Sequence, residues 1–312
     1  MSNYDKTTCC GEDMGKEAKK GLKDGNGCCT GQISTKPSEE LEEADSCGCG
    51  CGSESPDESL ILNPEHPKKN ADKEFFQEFE EIAHQSGIVD IGYTKVAEEI
   101  MDSKGIKYPN ALVFTFKMDS ELIKTAPGKK ALELNEEIYA RLGKLTYELS
   151  DFIRSRGYAT QVAHPYGNLI GLSELAQQAG LGWKGKHSLL ITPALGPGLK
   201  ISAIFTNIEN LPEKKSVDHS WIAEYCQRCN KCTIACTENA MVNKIHPSGE
   251  KETEFHPELC IGCSKGCTSC LEECVFYKRG YDEIKRISDK LKERMMKKKQ
   301  NTNIYHLKRK RR

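Results

Sequence analysis

The spacing of apolar residues predicts helices that alternate with strands in the middle of the chain. Phe75, Phe76 and Phe79 recur at helical intervals before Gly87, and apolar residues of 132–156 form one stripe of a long amphipathic helix. Short runs of β-branched and apolar residues predict strands, separated by turns rich in Gly and Pro. The predicted strands are 88–93, 111–116, 158–163, 188–192 and 199–206, and 172–179 is a further predicted helix. This alternation indicates an α/β or α+β domain.

Both ends of the chain lack this pattern and carry opposite charge. Residues 1–66 contain 6 Lys against 14 Asp and Glu and few large apolar side chains, so we expect a disordered acidic leader. Residues 278–312 contain 15 Lys and Arg against 4 acids, and 281–299 is a predicted basic helix. Such a tail suits RNA, an acidic lipid surface, an acidic redox partner or the chain's own leader, and a solvated helix is the plainer interpretation.

The 16 cysteines of this 312-residue chain point to metal rather than to disulfides. The sequence shows no apolar export signal and no apolar run long enough to span a bilayer, so we expect a reducing, cytoplasmic setting. The cysteines of the leader stand in adjacent or alternating positions, which suits a soft metal or metalloid, although they also fit a tail without a role. They are Cys9, Cys10, Cys28, Cys29, Cys47, Cys49 and Cys51.

The other nine cysteines, between Cys226 and Cys274, predict two [4Fe–4S] clusters. The first run begins with three cysteines at successive steps of three residues, as in bacterial ferredoxins, whereas zinc sites pair their cysteines in twos. In the two-cluster arrangement, the fourth cysteine of each run binds the other cluster. The first cluster therefore takes Cys226, Cys229, Cys232 and Cys274, and the second takes Cys236, Cys267, Cys270 and either Cys260 or Cys263, which the spacing does not decide.

A second motif stands before the cysteines. Residues 174–193 contain Gly-Leu-Gly-Trp-Lys-Gly-Lys-His-Ser, which resembles a sequence block of the epoxyqueuosine reductases and reductive dehalogenases. Residues 151–158, residues 195–197 and the cysteine spacing extend this resemblance over about 72–278.

The resemblance implies a domain organisation, a cofactor and a set of ligands. After the leader, a nitroreductase-like α/β domain is expected at 67–215, a two-cluster ferredoxin-like domain at 216–278 and a basic helical tail at 279–312. Electrons would pass through the clusters to a cobalamin between the domains. The resemblance favours Cys260 as the fourth ligand of the second cluster and makes Cys263 an extra cysteine. The residues that it assigns to cofactor binding are Gly182, Gly185, Lys186, His187 and Ser188, although a tight helix-to-strand connection also explains the glycines.

The chain departs from epoxyqueuosine reductases at the position of their catalytic acid. Residues 162–168 read Val-Ala-His-Pro-Tyr-Gly-Asn and contain no Asp or Glu. His164 and Tyr166 are the candidate proton donors, because a His titrates near neutral pH and a Tyr can protonate a product anion. Ordinary packing in a loop is the alternative for both residues.

These observations predict an iron–sulfur oxidoreductase that passes electrons through two clusters to a corrinoid or to a substrate between two domains. The expected partners are an electron donor of the ferredoxin or flavodoxin type and a small-molecule or tRNA substrate. The alternative is a protein without a substrate of its own, which is either an electron-transfer ferredoxin or a carrier of soft metal or metalloid that uses the leader.

Overall fold

The computed structural model describes residues 57–213, 217–245 and 251–310, with side chains as far as residue 297. The leader cysteines, and with them the predicted soft-metal role, lie outside the described residues. The described chain is centred on an antiparallel sheet with the strand order β1-β2-β6-β3. These strands are β1 (Ile88–Lys95), β2 (Asn110–Lys117), β3 (Thr160–Ala163) and β6 (Leu199–Thr206).

The two middle strands, β2 and β6, are apolar on both faces because helices cover both sides of the sheet. Leu112 and Phe114 of β2 pack into one core, whereas the alternating Ala111 and Val113 pack into a second core on the opposite face. Every residue of β2 up to Phe116 is buried. This explains why the sequence shows a continuous apolar run rather than strict alternation.

Two long helices and a short one form one of these layers, and two short helices form the other. The first core receives side chains from α1 (Lys73–Gln85), α3 (Ser120–Lys124) and α4 (Lys129–Ser155). The second core receives side chains from α2 (Glu98–Lys104) and α5 (Leu172–Gln178). Two-residue strands β4 (Trp183–Lys184) and β5 (Leu190–Ile191) pair after α5 and lead into β6.

The cysteine segment folds as short helices around a hairpin. Its elements are α6 (Trp221–Arg228), α7 (Lys231–Ala235), β7 (Met241–Ile245), β8 (Lys251–Phe255), a 3-10 turn (Cys263–Lys265), α8 (Ser269–Glu272), α9 (Val275–Arg279) and α10 (Tyr281–Lys310). The start of α10 packs through Ile284 against Trp221 and Phe276. None of the described helices is both long and apolar enough to cross a membrane.

The predicted helices at 132–156 and 172–179 and the strand at 199–206 are confirmed, with ends that differ by at most three residues. The predicted helix at 281–299 is also confirmed, but it continues to Lys310. The sheet is antiparallel throughout, so the α+β form of the predicted class is the correct one. Helices α2 and α3 and the β7–β8 hairpin were not predicted, because their residues are mostly polar and lack a clear apolar period.

The segment 57–63, which the sequence assigned to the leader, is hydrogen-bonded to the body of the protein. The buried Arg154 of α4 donates to Asp57 Oδ2 at 2.6 Å and to the Ile61 carbonyl at 2.8 Å. The amides of Leu60 and Ile61 donate to the Asp151 carboxylate at 3.0 and 2.8 Å. The segment 57–63 therefore belongs to the body of the protein and not to a separate leader.

Replacement of Asp57 by Asn should destabilise the protein, because Arg154 is only 4% exposed and would lose its charged partner. We expect a loss of about 1–2 kcal/mol in the free energy of unfolding, less than for a fully buried pair since Asp57 is half exposed. Partial burial raises the pKa of Asp57, but hydrogen bonds from Arg154 and Ser59 outweigh it and hold the pKa below its ordinary value. The stabilisation is therefore present at neutral pH and is lost as the pH falls through the acid range.

Thermal unfolding of the holoprotein measures this loss. Glu148→Gln is the matched control, because it removes an exposed pair with Lys144 that lies 3.7 Å away and should change stability by less than about 0.5 kcal/mol. Equal melting temperatures for the Asp57 variant and the control would contradict the anchoring role of Arg154.

Candidate functional site

Four cysteines form a first group. They lie where the cysteine segment packs against the block at residues 182–188. Cys226 lies on α6, Cys229 and Cys232 lie at and beyond its end, and Cys274 precedes α9. Burial, followed by the neighbouring Cys232 and Cys229, raises the pKa of Cys226 to about 12. Burial also raises the pKa of Cys274 to about 12, with Cys226 and Cys232 as its thiol neighbours. The fold thus brings together the four residues that the spacing assigned to the first cluster.

The other five cysteines form a second group. Burial raises the pKa of Cys270, and the thiol neighbours that add to this effect are Cys263, Cys232, Cys267 and Cys260. Cys232 belongs to the first group, so the two groups are adjacent. This arrangement is typical of two clusters that exchange electrons.

Cys260 and Cys263 have different surroundings. Besides burial, the groups that shift the pKa of Cys260 include Cys267 and Cys236. Burial also raises the pKa of Cys263, but its first neighbour is the ammonium of Lys200, followed by Cys260 and Cys267. Cys260 is therefore near every other cysteine of the second group, whereas Cys263 is near Cys260, Cys267 and Cys270 and also lies beside Lys200.

The donor set of both groups fits iron–sulfur clusters. All nine thiols are free of disulfides, and each group offers at least four, the number of thiolates that a [4Fe–4S] cluster takes. Buried thiols with raised pKa values ionise only beside strong positive charge, and bound iron supplies that charge. Among the described side chains, no three His, Cys, Asp or Glu residues converge tightly enough to hold a single metal ion.

A cavity of about 540 Å³ adjoins the second group. Its lining includes Tyr139 of α4, Ser188, Lys200 of β6, Cys263 and Leu271. The volume falls in the range of sites for drug-sized molecules. The cavity opens to solvent, so a complete cobalamin, which is larger than this class of ligand, would extend beyond it.

The polar centre of the cavity is a tyrosine and a lysine. Lys200 Nζ lies 4.0 Å from the centroid of the Tyr139 ring, and Lys200 is only 5% exposed. Burial lowers the pKa of Lys200 to about 8, and the nearby Cys263 opposes this shift. Burial raises the pKa of Tyr139, and Cys263 and Tyr166 add to the effect. At neutral pH the phenol therefore holds its proton beside a cation.

The predicted proton donors His164 and Tyr166 lie beside this centre rather than in the cavity wall. The Tyr166 ring packs 4.1 Å from the Tyr139 ring and is 44% exposed. The His164 ring stacks on Tyr166 and Tyr147, and its Nδ1 accepts from the Tyr166 amide at 3.2 Å. Burial lowers the pKa of His164, an effect that Glu58 opposes. The rings of Tyr147, His164 and Tyr166 thus form a continuous aromatic path to Tyr139.

The residues of the predicted cofactor block have several different roles. Ser188 lines the cavity and adopts a φ of 61°, which is rare for a residue other than glycine. Lys186 lies at the first cysteine group, where its amide donates to the Cys226 sulfur. His187 is buried, its pKa is lowered to about 4 by desolvation, and its Nε2 has no partner among the described residues.

Gly182 and Gly185 of the block are packed against protein. A Cβ at Gly182 would lie 2.1 Å from the Ile191 carbonyl oxygen, and one at Gly185 would lie 2.8 Å from the Ile191 side chain. Neither glycine lines the cavity. Their position supports the tight helix-to-strand connection that the sequence left as an alternative.

Tyr139 and Lys200 are candidate functional residues that the sequence reasoning missed. Tyr139 lies within the predicted amphipathic helix, where an aromatic residue is expected to pack in the hydrophobic core. Lys200 offered a signal, since it is the only charged residue of the mostly apolar strand 199–206. Its closeness to Cys263 depends on tertiary structure and has no sign in the sequence.

Replacement of Gly182 by Ala should destabilise the protein even without any cofactor, because the new Cβ meets backbone atoms that cannot move aside. We expect a loss of about 1–3 kcal/mol in the free energy of unfolding, measured by thermal or denaturant unfolding. Gly171→Ala is the matched control, since its Cβ meets the mobile carboxylate of Glu174 at 2.5 Å. Wild-type stability of the Gly182 variant would instead point to a role in ligand binding.

The chain is similar to two kinds of reductase. No protein-family model matches it. It is 31% identical over 175 residues to the tetrachloroethene reductive dehalogenase of Dehalobacter restrictus, covering 56% of this chain and 30% of that protein. It is 34% identical over 119 residues to the epoxyqueuosine reductase of Listeria monocytogenes, covering 35% of this chain and 30% of that protein.

The fold is similar to that of a reductive dehalogenase whose structure suggests a mechanism for B12-dependent dehalogenation. The TM-score is 0.57 at 16% identity, and the match covers 73% of this chain and 36% of that chain. The chain spans about 30% of the length of the two curated relatives. These similarities, at moderate identity, support membership of the superfamily that includes the reductive dehalogenases and the epoxyqueuosine reductases.

Proposed function

We propose that the protein is an iron–sulfur reductase that relays electrons, one at a time, through two [4Fe–4S] clusters to a small molecule in the cavity. The observation that carries this proposal is the position of the second cysteine group, which meets the cavity at Cys263 beside Lys200 and Tyr139. A ferredoxin that only transfers electrons needs no such cavity. In this proposal, 67–215 is a nitroreductase-like domain and 216–278 is a ferredoxin-like domain.

The first cluster is held by Cys226, Cys229, Cys232 and Cys274 and accepts electrons from a ferredoxin or flavodoxin. The second cluster is held by Cys236, Cys260, Cys267 and Cys270 and is the nearer one to the cavity. When bound, the clusters supply single electrons at low potential. Cys232 and Cys270 are near neighbours, which supports a short path between the clusters.

In the cavity, the chain's own residues bind the substrate and supply a proton. Reductive cleavage of a bond to a leaving group consumes two electrons and one proton and releases the group as an anion. Burial keeps the Tyr139 phenol protonated, so that its O–H is available to a strongly basic product anion. The Lys200 ammonium then stabilises the phenolate or the departing anion.

Two wider versions of this function remain proposals. A cobalamin would extend beyond the described cavity, and we assign no step to a corrinoid. A modified nucleoside in tRNA is an alternative substrate, and the cationic residues of α10 support it. Incubation with hydroxocobalamin followed by a cobalt count, and turnover with and without tRNA, test these versions directly.

Anaerobic purification should yield about eight irons per chain if both clusters are present. Cys274→Ser and Cys270→Ser should each lose one cluster, because each removes one ligand from a different group, and about four irons should remain. Iron and sulfide counts with EPR spectra of the reduced protein measure this result. A full iron count in either variant, or zinc in place of iron, would overturn the assignment.

Tyr139→Phe and Lys200→Gln should lower reductive turnover by about 10²–10⁴-fold while the iron count stays unchanged, because a positioned proton donor contributes that much. The assay uses a chemically reduced one-electron dye and a panel of organohalides that includes tetrachloroethene, the compound for which the Dehalobacter restrictus relative is named. His164→Asn and Tyr166→Phe are the matched comparison. If only these two variants lose activity, the proton comes from the predicted pair and not from Tyr139.

A further inference from the structure

Cys263 is the surplus thiol of the second group. A [4Fe–4S] cluster takes four thiolates, and this group contains five cysteines. Cys260 is near Cys236 as well as Cys267 and Cys270, whereas Cys263 is near Cys267 and Cys270 and has Lys200 beside it. With Cys260 as the fourth ligand, Cys263 keeps a thiol that opens to the cavity.

The lysine beside this thiol lacks a counter-charge. Lys200 is 5% exposed, and its ammonium makes no hydrogen bond or ion pair with any described residue. The ammonium lies over the Tyr139 ring, with Nζ 4.0 Å from the ring centroid. Buried ammonium groups are normally paired, because removal from water is costly. The other lysine of the cavity wall, Lys184, is paired with Glu174. An anionic group that enters the cavity would complete the environment of Lys200.

The rest of the cavity suits a small carbon skeleton. Met118, Leu189, Leu199 and Leu271 supply apolar wall, and the volume of about 540 Å³ accommodates a compact organic acid. The thiol and the ammonium therefore face a space that admits a molecule with one charged end and one apolar end.

We propose that Cys263 is a nucleophilic thiol of the cavity, not a cluster ligand, and that Lys200 directs small anionic electrophiles such as α-halocarboxylates to it. In this reaction a carbon–sulfur bond forms and a carbon–halogen bond breaks. The halide leaves with the bonding electron pair, and the thiol proton passes to water. No oxidant or reductant is needed.

Paired alkylation of the anaerobic holoprotein tests this proposal. Iodoacetate is anionic and iodoacetamide is neutral, but both transfer a group of similar size to sulfur. Mass spectrometry of the peptide that contains Cys263 gives the rate with each reagent, and glutathione supplies the reference ratio. We expect the iodoacetate-to-iodoacetamide ratio for Cys263 to exceed that of glutathione by about tenfold, because of the nearby ammonium.

Variants of the two cavity lysines assign the effect to Lys200. Lys200→Gln should return the ratio to that of glutathione, and Lys200→Arg should preserve it. Lys184→Gln is the matched control, because it removes a cavity lysine that is already paired, and it should leave the ratio unchanged. If Lys200→Gln does not fold, the salt dependence of the ratio in the wild-type protein takes its place. As the salt concentration rises, the ratio for Cys263 should fall toward that of glutathione.

Iron counts test whether Cys263 is a cluster ligand, separately from the effect of Lys200 on the alkylation ratio. Cys263→Ser should keep about eight irons, whereas Cys260→Ser should lose about four. A Cys263 that resists both reagents in the holoprotein, or an iron loss in Cys263→Ser, would overturn the proposal. An unchanged ratio in Lys200→Gln would remove Lys200 from it. The inference rests on the proposed cluster assignment, but the labelling needs no turnover, so a failure of the reductase function is recognised independently.

Discussion

The packing of nine buried or half-buried thiols within fewer than fifty residues is the constraint on which the rest of this structure depends. Burial raises the pKa values of Cys226, Cys270 and Cys274, and each thiol has further thiols as neighbours. Thiolates crowded together in this way repel each other and are poorly solvated. Bound iron removes both costs, so cluster assembly and folding of this segment should be coupled. The few apolar residues of the segment are consistent with a core supplied by the clusters.

The second cysteine group is fixed to the sheet domain by close backbone contact. Gly266 has a φ of 82°, and a Cβ at this position would lie 2.8 Å from the backbone between Ala131 and Leu132 at the start of α4. Thr268 is buried, and its hydroxyl donates to the Ile123 carbonyl at 3.1 Å. These contacts hold the 3-10 turn against the helix that carries Tyr139. The position of the thiols relative to the cavity is therefore set by packing of the polypeptide.

The sequence predicts the parts of the fold that depend on local pattern. The period of α4, the apolar run of β2 and the partition of seven cysteines between two clusters all follow from spacing, whereas the choice of Cys260 over Cys263 came from the family resemblance. The partition stays a prediction, although the neighbours of each cysteine agree with it. The sequence does not predict that Lys200 approaches Tyr139 or that Cys263 opens to a cavity, because these contacts join residues more than sixty positions apart.

The block at 182–188 connects the two halves of the proposed electron path. Gly182 packs on the Ile191 backbone, which holds β4 against β5, and the turn that follows closes with the Ser188 amide donating to the Gly185 carbonyl at 3.0 Å. One end of this turn presents Ser188 to the cavity, and the Lys186 amide reaches the Cys226 sulfur of the first group. A short turn thus contacts both the first cysteine group and the cavity. This accounts for a dense glycine motif in which most residues never touch the cavity: the motif fixes the distance between two sites.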